Sequence, residues 1–222
     1  MPAKKLFTCT LILCILILSG NKTKAVDSEF WTIQKVTGQI NDDWSLSITE
    51  QFNFKNRGSK LYFYFTEIGA GYAFNQHFDI KLFYRHVYHD FHLNNQWDLE
   101  NRPHASFTMQ VKRGIFNIAD RNRISYRIFQ KRDNILLYRN FLTVAFPLTL
   151  FNQNMQTRIG NEWWIDIQKP RMVSDHIYVT LMLDPYKFLR IKLNYVAVIN
   201  NSGQGIWTPV HIARLGFEWN LN

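Results

Sequence analysis

The chain has 222 residues and a formal charge of +9, and 16% of its residues are aromatic. That length suits one domain. Both cysteines, Cys9 and Cys14, fall in the first 25 residues, so the rest of the chain carries no disulfide framework and no cysteine-ligated metal site. Beyond residue 25 no segment reaches the roughly 18 consecutive apolar residues of a helical membrane span. The charge comes with no Lys/Arg-rich helix and no nucleic-acid-binding motif, which argues against a nucleic-acid partner.

The N-terminus carries Lys4 and Lys5, an apolar run from Leu6 to Leu18, and a polar stretch ending at Ala25. These are the three regions of a secretory signal, with Thr23 and Ala25 at the −3 and −1 positions. The apolar run is shorter than the roughly 20 residues a spanning helix needs. Residues 1–25 are therefore expected to be a signal peptide, and residues 26–222 an exported domain. Four of the cations, Lys4, Lys5, Lys22 and Lys24, belong to the leader, so the formal charge of the remainder falls from +9 to +5.

After the leader the pattern is period-two alternation. Strands are predicted at 29–40, 44–55, 60–74, 78–91, 103–117, 121–132, 138–149, 155–168, 176–183, 187–199 and 209–221. Most are longer than the roughly 5–6 residues of an average soluble strand and match the roughly 9–11 residues of a tilted membrane-crossing strand. Short connections (41–43, 75–77, 118–120, 152–154, 185–186) alternate with longer ones (56–59, 92–102, 133–137, 169–175, 200–208). Trp44, Phe74, Phe78, Phe116, Phe151, Tyr186, Phe188 and Trp219 border the short turns, as an interfacial girdle would. The expected fold class is all-β: a closed antiparallel transmembrane β-barrel of about 10–12 strands. Ten is favoured, with 29–40 left over to enter the interior or pair as an extra strand.

The two faces of these strands differ. In 121–132, Arg121, Arg123, Ser125, Arg127 and Lys131 share one face, and Ile124, Tyr126 and Ile128 the other. An Arg facing lipid costs about 2–4 kcal/mol near the midplane, so the Arg row is expected inside. Segment 155–168 offers Arg158, Glu162 and Asp166 on the matching face. Lys81 and Arg85, Lys112, Arg190 and Lys192, and Arg214 and Glu218 extend the inward set, and Glu67 is expected to join it. The expectation is a basic, ion-paired, narrow lumen with a structural or small-solute passage role. Glu50 breaks the pattern, falling with Trp44, Leu46, Ile48 and Phe52 on the apolar face. Either a bulge flips it inward or it lies near an interface.

Little chemistry stands out. His104-Ala105-Ser106 places a His and a Ser on one side of a strand, with the spacing of the His-x-Ser pair of outer-membrane phospholipase A. Ser would be the nucleophile and His the base. Phe107 and Thr108 stand where that family has Asn-Gly. A lipid hydrolase using His104 and Ser106 is thus an alternative, as is a soluble periplasmic ligand-binding barrel. The primary expectation is a protein that is not an enzyme and takes no cofactor or metal. His86, His89, Asp90 and His92 cluster at one strand end without a zinc-binding spacing. Its expected partners are outer-membrane lipid and lipopolysaccharide, the barrel assembly machinery and a small solute.

Several short stretches carry a family likeness: Trp31 and Trp44, Arg121-Asn122-Arg123-Ile124-Ser125-Tyr126-Arg127, Tyr138-Arg139-Asn140, and Asn161-Glu162 of an Asn-Glu-Trp-Trp segment. Over roughly 30–221 the chain resembles the bacterial domain of unknown function 2490. The resemblance implies an outer-membrane barrel of a Gram-negative bacterium and carries no catalytic residue with it. The C-terminus alternates Phe217, Trp219 and Leu221 but ends on Asn222, where barrel proteins commonly end on an aromatic.

Overall fold

Alternation of large apolar and polar side chains sets every element of the structure. A computed structural model describes residues 28–90, 96–150, 153–201 and 207–221. The expected leader lies outside these residues, as do His92 and Phe151. The strands are β1 (Ser28–Gln39), β2 (Trp44–Lys55), β3 (Lys60–Asn75), β4 (Phe78–His89), β5 (Asp98–Arg113), β6 (Phe116–Phe129), β7 (Ile135–Leu150), β8 (Gln153–Asp166), β9 (Arg171–Tyr186), β10 (Leu189–Asn201) and β11 (Trp207–Leu221). They close into a barrel in chain order, and no helix occurs among the described residues.

Ten of the eleven neighbouring pairs are antiparallel; the closing pair, β1 with β11, is parallel. Segment 29–40 therefore does not enter the interior; it pairs as an extra, eleventh strand. It is inserted between β2 and β11, with Trp31 opposite Asn53 on one side and Arg214 on the other. An odd strand count cannot close antiparallel throughout, and this is why the seam is parallel. The seam also places Ser28 at the rim of the longer connections, opposite His211.

Two turns move from their predicted positions. The β5–β6 reversal is at Gly114-Ile115, not at 118–120. Gly114 supplies a positive φ of 60°, which a non-glycine residue adopts at a cost. Ile118, Ala119 and Asp120 lie inside β6. The β9–β10 turn is at Lys187-Phe188, and β9 begins at Arg171 rather than 176.

The wall is apolar outside and polar inside. Outward positions such as Leu46, Ile48, Ile68, Leu82, Ile124 and Leu142 are about half-exposed, whereas Glu67, Glu100, Arg102, Arg123 and Glu162 are buried. Ring pairs line the turn-end rim: Trp44 tilted against Tyr72, Phe78 stacked with Phe107, and Phe188 stacked with both Tyr186 and Trp219. Inward glycines make room for rings laid flat on the inner wall. A Cβ on Gly69 would lie 2.1 Å from the Phe83 ring, and one on Gly160 2.7 Å from the Phe141 ring. A smaller apolar cluster (Tyr178, Val196, Val198 and Ile212, flanked by Trp31 and Phe141) packs inside β9–β11.

Glu50 is not flipped inward. It stays exposed, opposite Gln34 and Thr66, and the register shift of β2 against β3 falls later, between Asn53 and Phe54.

Candidate functional site

Inside the barrel the charged side chains gather around three buried carboxylates. The first is Glu162 of β8, whose side chain is 2% exposed. The β6–β7–β8 registers put Arg139 beside Trp164 and Phe141 beside Glu162. Arg121 of β6 donates to Glu162 at 3.0 Å, and Arg139 of β7 to both carboxylate oxygens at 2.8 Å. The Trp164 indole and the Tyr178 hydroxyl each donate at 3.0 Å. Arg139 lies 3.9 Å over the Trp164 ring, which stacks at 4.7 Å on His176. His176 is held in turn by Ser174 at 2.7 Å. The carboxylate thus has donors from four strands, the arrangement that makes a buried charge tolerable.

The second is Glu67 of β3. Arg85 donates to it through Nε at 2.7 Å, with Nη2 at 2.6 Å, and lies 3.8 Å over the Phe65 ring. His104 Nε2 is 3.4 Å from the same oxygen, and its ring stacks at 4.8 Å on Phe83. Arg123 reaches the Phe83 face at 5.8 Å. The third is Glu100 of β5, which accepts from Arg102 Nε at 2.5 Å and from Arg127 Nε and Nη2 at 2.9 and 2.8 Å.

Toward the turn-end rim the pairs are more exposed. Lys81 faces Asp79 at 3.3 Å, Arg190 holds Asp184 at 2.6 and 2.8 Å, and Lys192 contacts Glu218. Lys112 is exposed near the β5–β6 turn, outside this network. Asp166, at the other rim, caps the β8–β9 turn by accepting from the backbone N–H of Gln168 and Lys169. Arg158 and Arg214 lie on the inner wall, and among the described residues the only hydrogen bond donated by either guanidinium is from Arg214 to Asn194 Oδ1 at 3.1 Å.

The structure also brings in residues that the sequence reading left out. Arg139, Glu100, Arg102, His176 and Tyr178 are central to the interior. Extending the alternation of 103–117 backward to Asp98 would have placed Glu100 and Arg102 in the same inward row as His104 and Ser106. His104 and Ser106 are both buried there, and no hydrogen bond joins them among the described residues. His104 Nδ1 instead lies 3.4 Å from the Arg102 carbonyl.

The same stretches of β6, β7 and β8 carry a second network on the outer wall. Asp120 accepts from Asn122 at 3.0 Å and from Asn140 at 2.6 Å, and Asn122 accepts from the Tyr138 hydroxyl at 2.5 Å. Asn161 donates to Asp175 at 2.6 Å. In Arg121-Asn122, Arg139-Asn140 and Asn161-Glu162 the charged member points in and the amide points out.

This is a closed, eleven-stranded β-barrel with an ion-paired interior. Residues 28–208 match the family described as "Protein of unknown function (DUF2490)", and the chain belongs to that family. No curated protein and no solved structure matches it.

Proposed function

We propose that the protein is an outer-membrane β-barrel of a Gram-negative cell, exported by a cleaved leader over residues 1–25, whose ion-paired interior keeps a narrow barrel rigid and nearly closed. One observation supports this most: the residues at about half exposure on the wall are large and apolar, while Arg123, Arg102, Glu67, Glu100 and Glu162 are buried inside the ring of strands. A water-facing barrel with an apolar ligand cavity would show the reverse. Rings at the turn-end rim fit the interfacial girdle that such barrels present. The outward Phe217, Trp219 and Leu221 of β11 offer an alternating aromatic signal to the assembly machinery.

Interiors fill with side chains at about 8 strands and open into channels at about 16–18. Eleven strands and three carboxylate-centred clusters fit the filled end, so the primary role is structural. Passage of a small solute is the second reading, favoured by the surplus of inward cations. The test of the first is detergent dependence with heat-modifiable gel migration. A membrane barrel needs surfactant and runs faster unheated, whereas a protein that stays dissolved in plain buffer removes the proposal. Planar-bilayer conductance tests the second: a silent folded barrel leaves the structural role alone.

A further inference from the structure

Glu67, Glu100, Glu162 and Glu218 are each already committed to a cation, yet inward cations remain. Among the described residues the inward cations Lys35, Arg123, Arg158 and Arg214 have no carboxylate within 4.0 Å. Glu218, the acid nearest them in register, opposite Lys35, is taken by Lys192. Arg123 lies apart, over the Phe83 ring, but the other three are not scattered. Arg214, Asn194, Thr180 and Arg158 form one unbroken row across β11, β10, β9 and β8, each directly opposite the next. Asn194 and Thr180, in the middle, are buried and joined by a 2.7 Å hydrogen bond. The Nε groups of Arg158 and Arg214 are buried with no hydrogen-bond partner, as are those of Arg121, Arg123 and Arg139. Arg121 comes from β6, two strands from β8, and is the electrostatic neighbour common to Lys35, Arg158 and Arg214.

Burying one unpaired charge costs several kcal/mol. Water can satisfy an orphan N–H but does not neutralise the charge beside it. A guanidinium is a planar fork of donors matched to oxyanions. We infer that the Arg158–Thr180–Asn194–Arg214 row, with Lys35 and Arg121 beside it, is a binding site for a small free oxyanion of the phosphate or sulfate class inside the barrel. This deepens the small-solute reading above and rests on the inward rows enclosing a lumen.

The test uses the full-length protein in detergent micelles and inorganic phosphate, with chloride at matched ionic strength as control. Binding to the folded state raises the midpoint of the heat-modifiable transition as phosphate rises. The expected result is a rise above the chloride control, with half-saturation weakened roughly tenfold or more in Arg158→Gln/Arg214→Gln, since each charge-assisted bond lost is worth about one decade. A midpoint that responds to phosphate no more than to chloride overturns the site, as does a response unchanged in the double variant. Should that variant not fold, Thr180→Asp reads the same question. A carboxylate placed between the two guanidiniums should raise the midpoint in phosphate-free buffer and abolish the phosphate response, and a full response retained there overturns the site. Dihexanoyl phosphatidic acid is the parallel arm: a shift from it alone, without one from inorganic phosphate, overturns a free-oxyanion ligand. Loss of detergent dependence would fail the membrane reading; loss of the phosphate response in an intact micelle-bound barrel fails only the site.

Discussion

Glu162 is the residue on which most of the interior converges. It accepts from Arg121, Arg139, Trp164 and Tyr178, so removing its charge leaves two guanidiniums facing each other in a buried space. Glu162→Gln is expected to destabilise the barrel by about 3–5 kcal/mol, because breaking a buried pair from one side strands the other charge. Urea unfolding followed by heat-modifiable migration reads that loss, and a change within about 0.5 kcal/mol, the range of an unremarkable surface substitution, would contradict it. Glu50 is the opposite case. Its carboxylate is exposed on the outer wall and makes no hydrogen bond or ion pair among the described residues. Replacing it with Leu in a bilayer should therefore stabilise, on the order of 1 kcal/mol. An unfolding midpoint lowered by Glu50→Leu would mean that this position does not face acyl chains.

At the scale of elements, β1 is the strand that the sequence left unplaced. Its alternation was legible, but period-two patterning carries no information on which neighbour a strand takes or in which direction. Eleven alternating segments are legible in the sequence, and the even strand counts usual in bacterial barrels weigh against the eleventh. The parallel seam makes a direct prediction. Thr32 and Leu215 are opposite each other across β1 and β11. Cysteines at these two positions should crosslink on mild oxidation in the folded protein, seen as a shift in the migration of the denatured band. A ten-stranded barrel closing β2 on β11 would show no such crosslink. Asp120 shows a second limit. Asp commonly punctuates turns, so 118–120 read as a reversal, whereas Gly114 makes the turn and the Asp120 carboxylate is satisfied by Asn122 and Asn140 on the wall. The inward glycines belong to this scale too. Gly69→Val should force the Phe83 ring off the inner wall and with it the His104 stack, costing about 1–3 kcal/mol by overpacking. Thermal midpoints of Gly69→Val and Gly69→Ala measure it, the larger side chain losing more.

For the molecule as a whole, the all-β barrel followed from strand length, alternation and the long–short rhythm of the connections. The partners inside did not. Arg121, Arg123 and Arg127 announce a charged face, but only the register shows that Glu162 answers Arg121 while Glu100 answers Arg127. Arg139 was visible in the sequence and unassigned, because nothing local distinguishes an inward Arg beside a carboxylate 23 residues on in the next strand. Lys112 sat in the right row and still lies outside the network, since a row that reaches the rim leaves the enclosed space. The outer polar cluster was hidden for a related reason: Asn122, Asn140 and Asn161 come together only once β6, β7 and β8 are aligned.

The central claim is sidedness, and nitroxide labels on single cysteines at Ile124, Leu142 and Ile159 test it most directly in the bilayer-reconstituted protein. All three are outward and about half-exposed. Labels there should relax strongly with dissolved oxygen and weakly with a water-soluble nickel chelate, as groups among acyl chains do. Dominant relaxation by the nickel chelate at all three positions would place this wall in water and contradict the account.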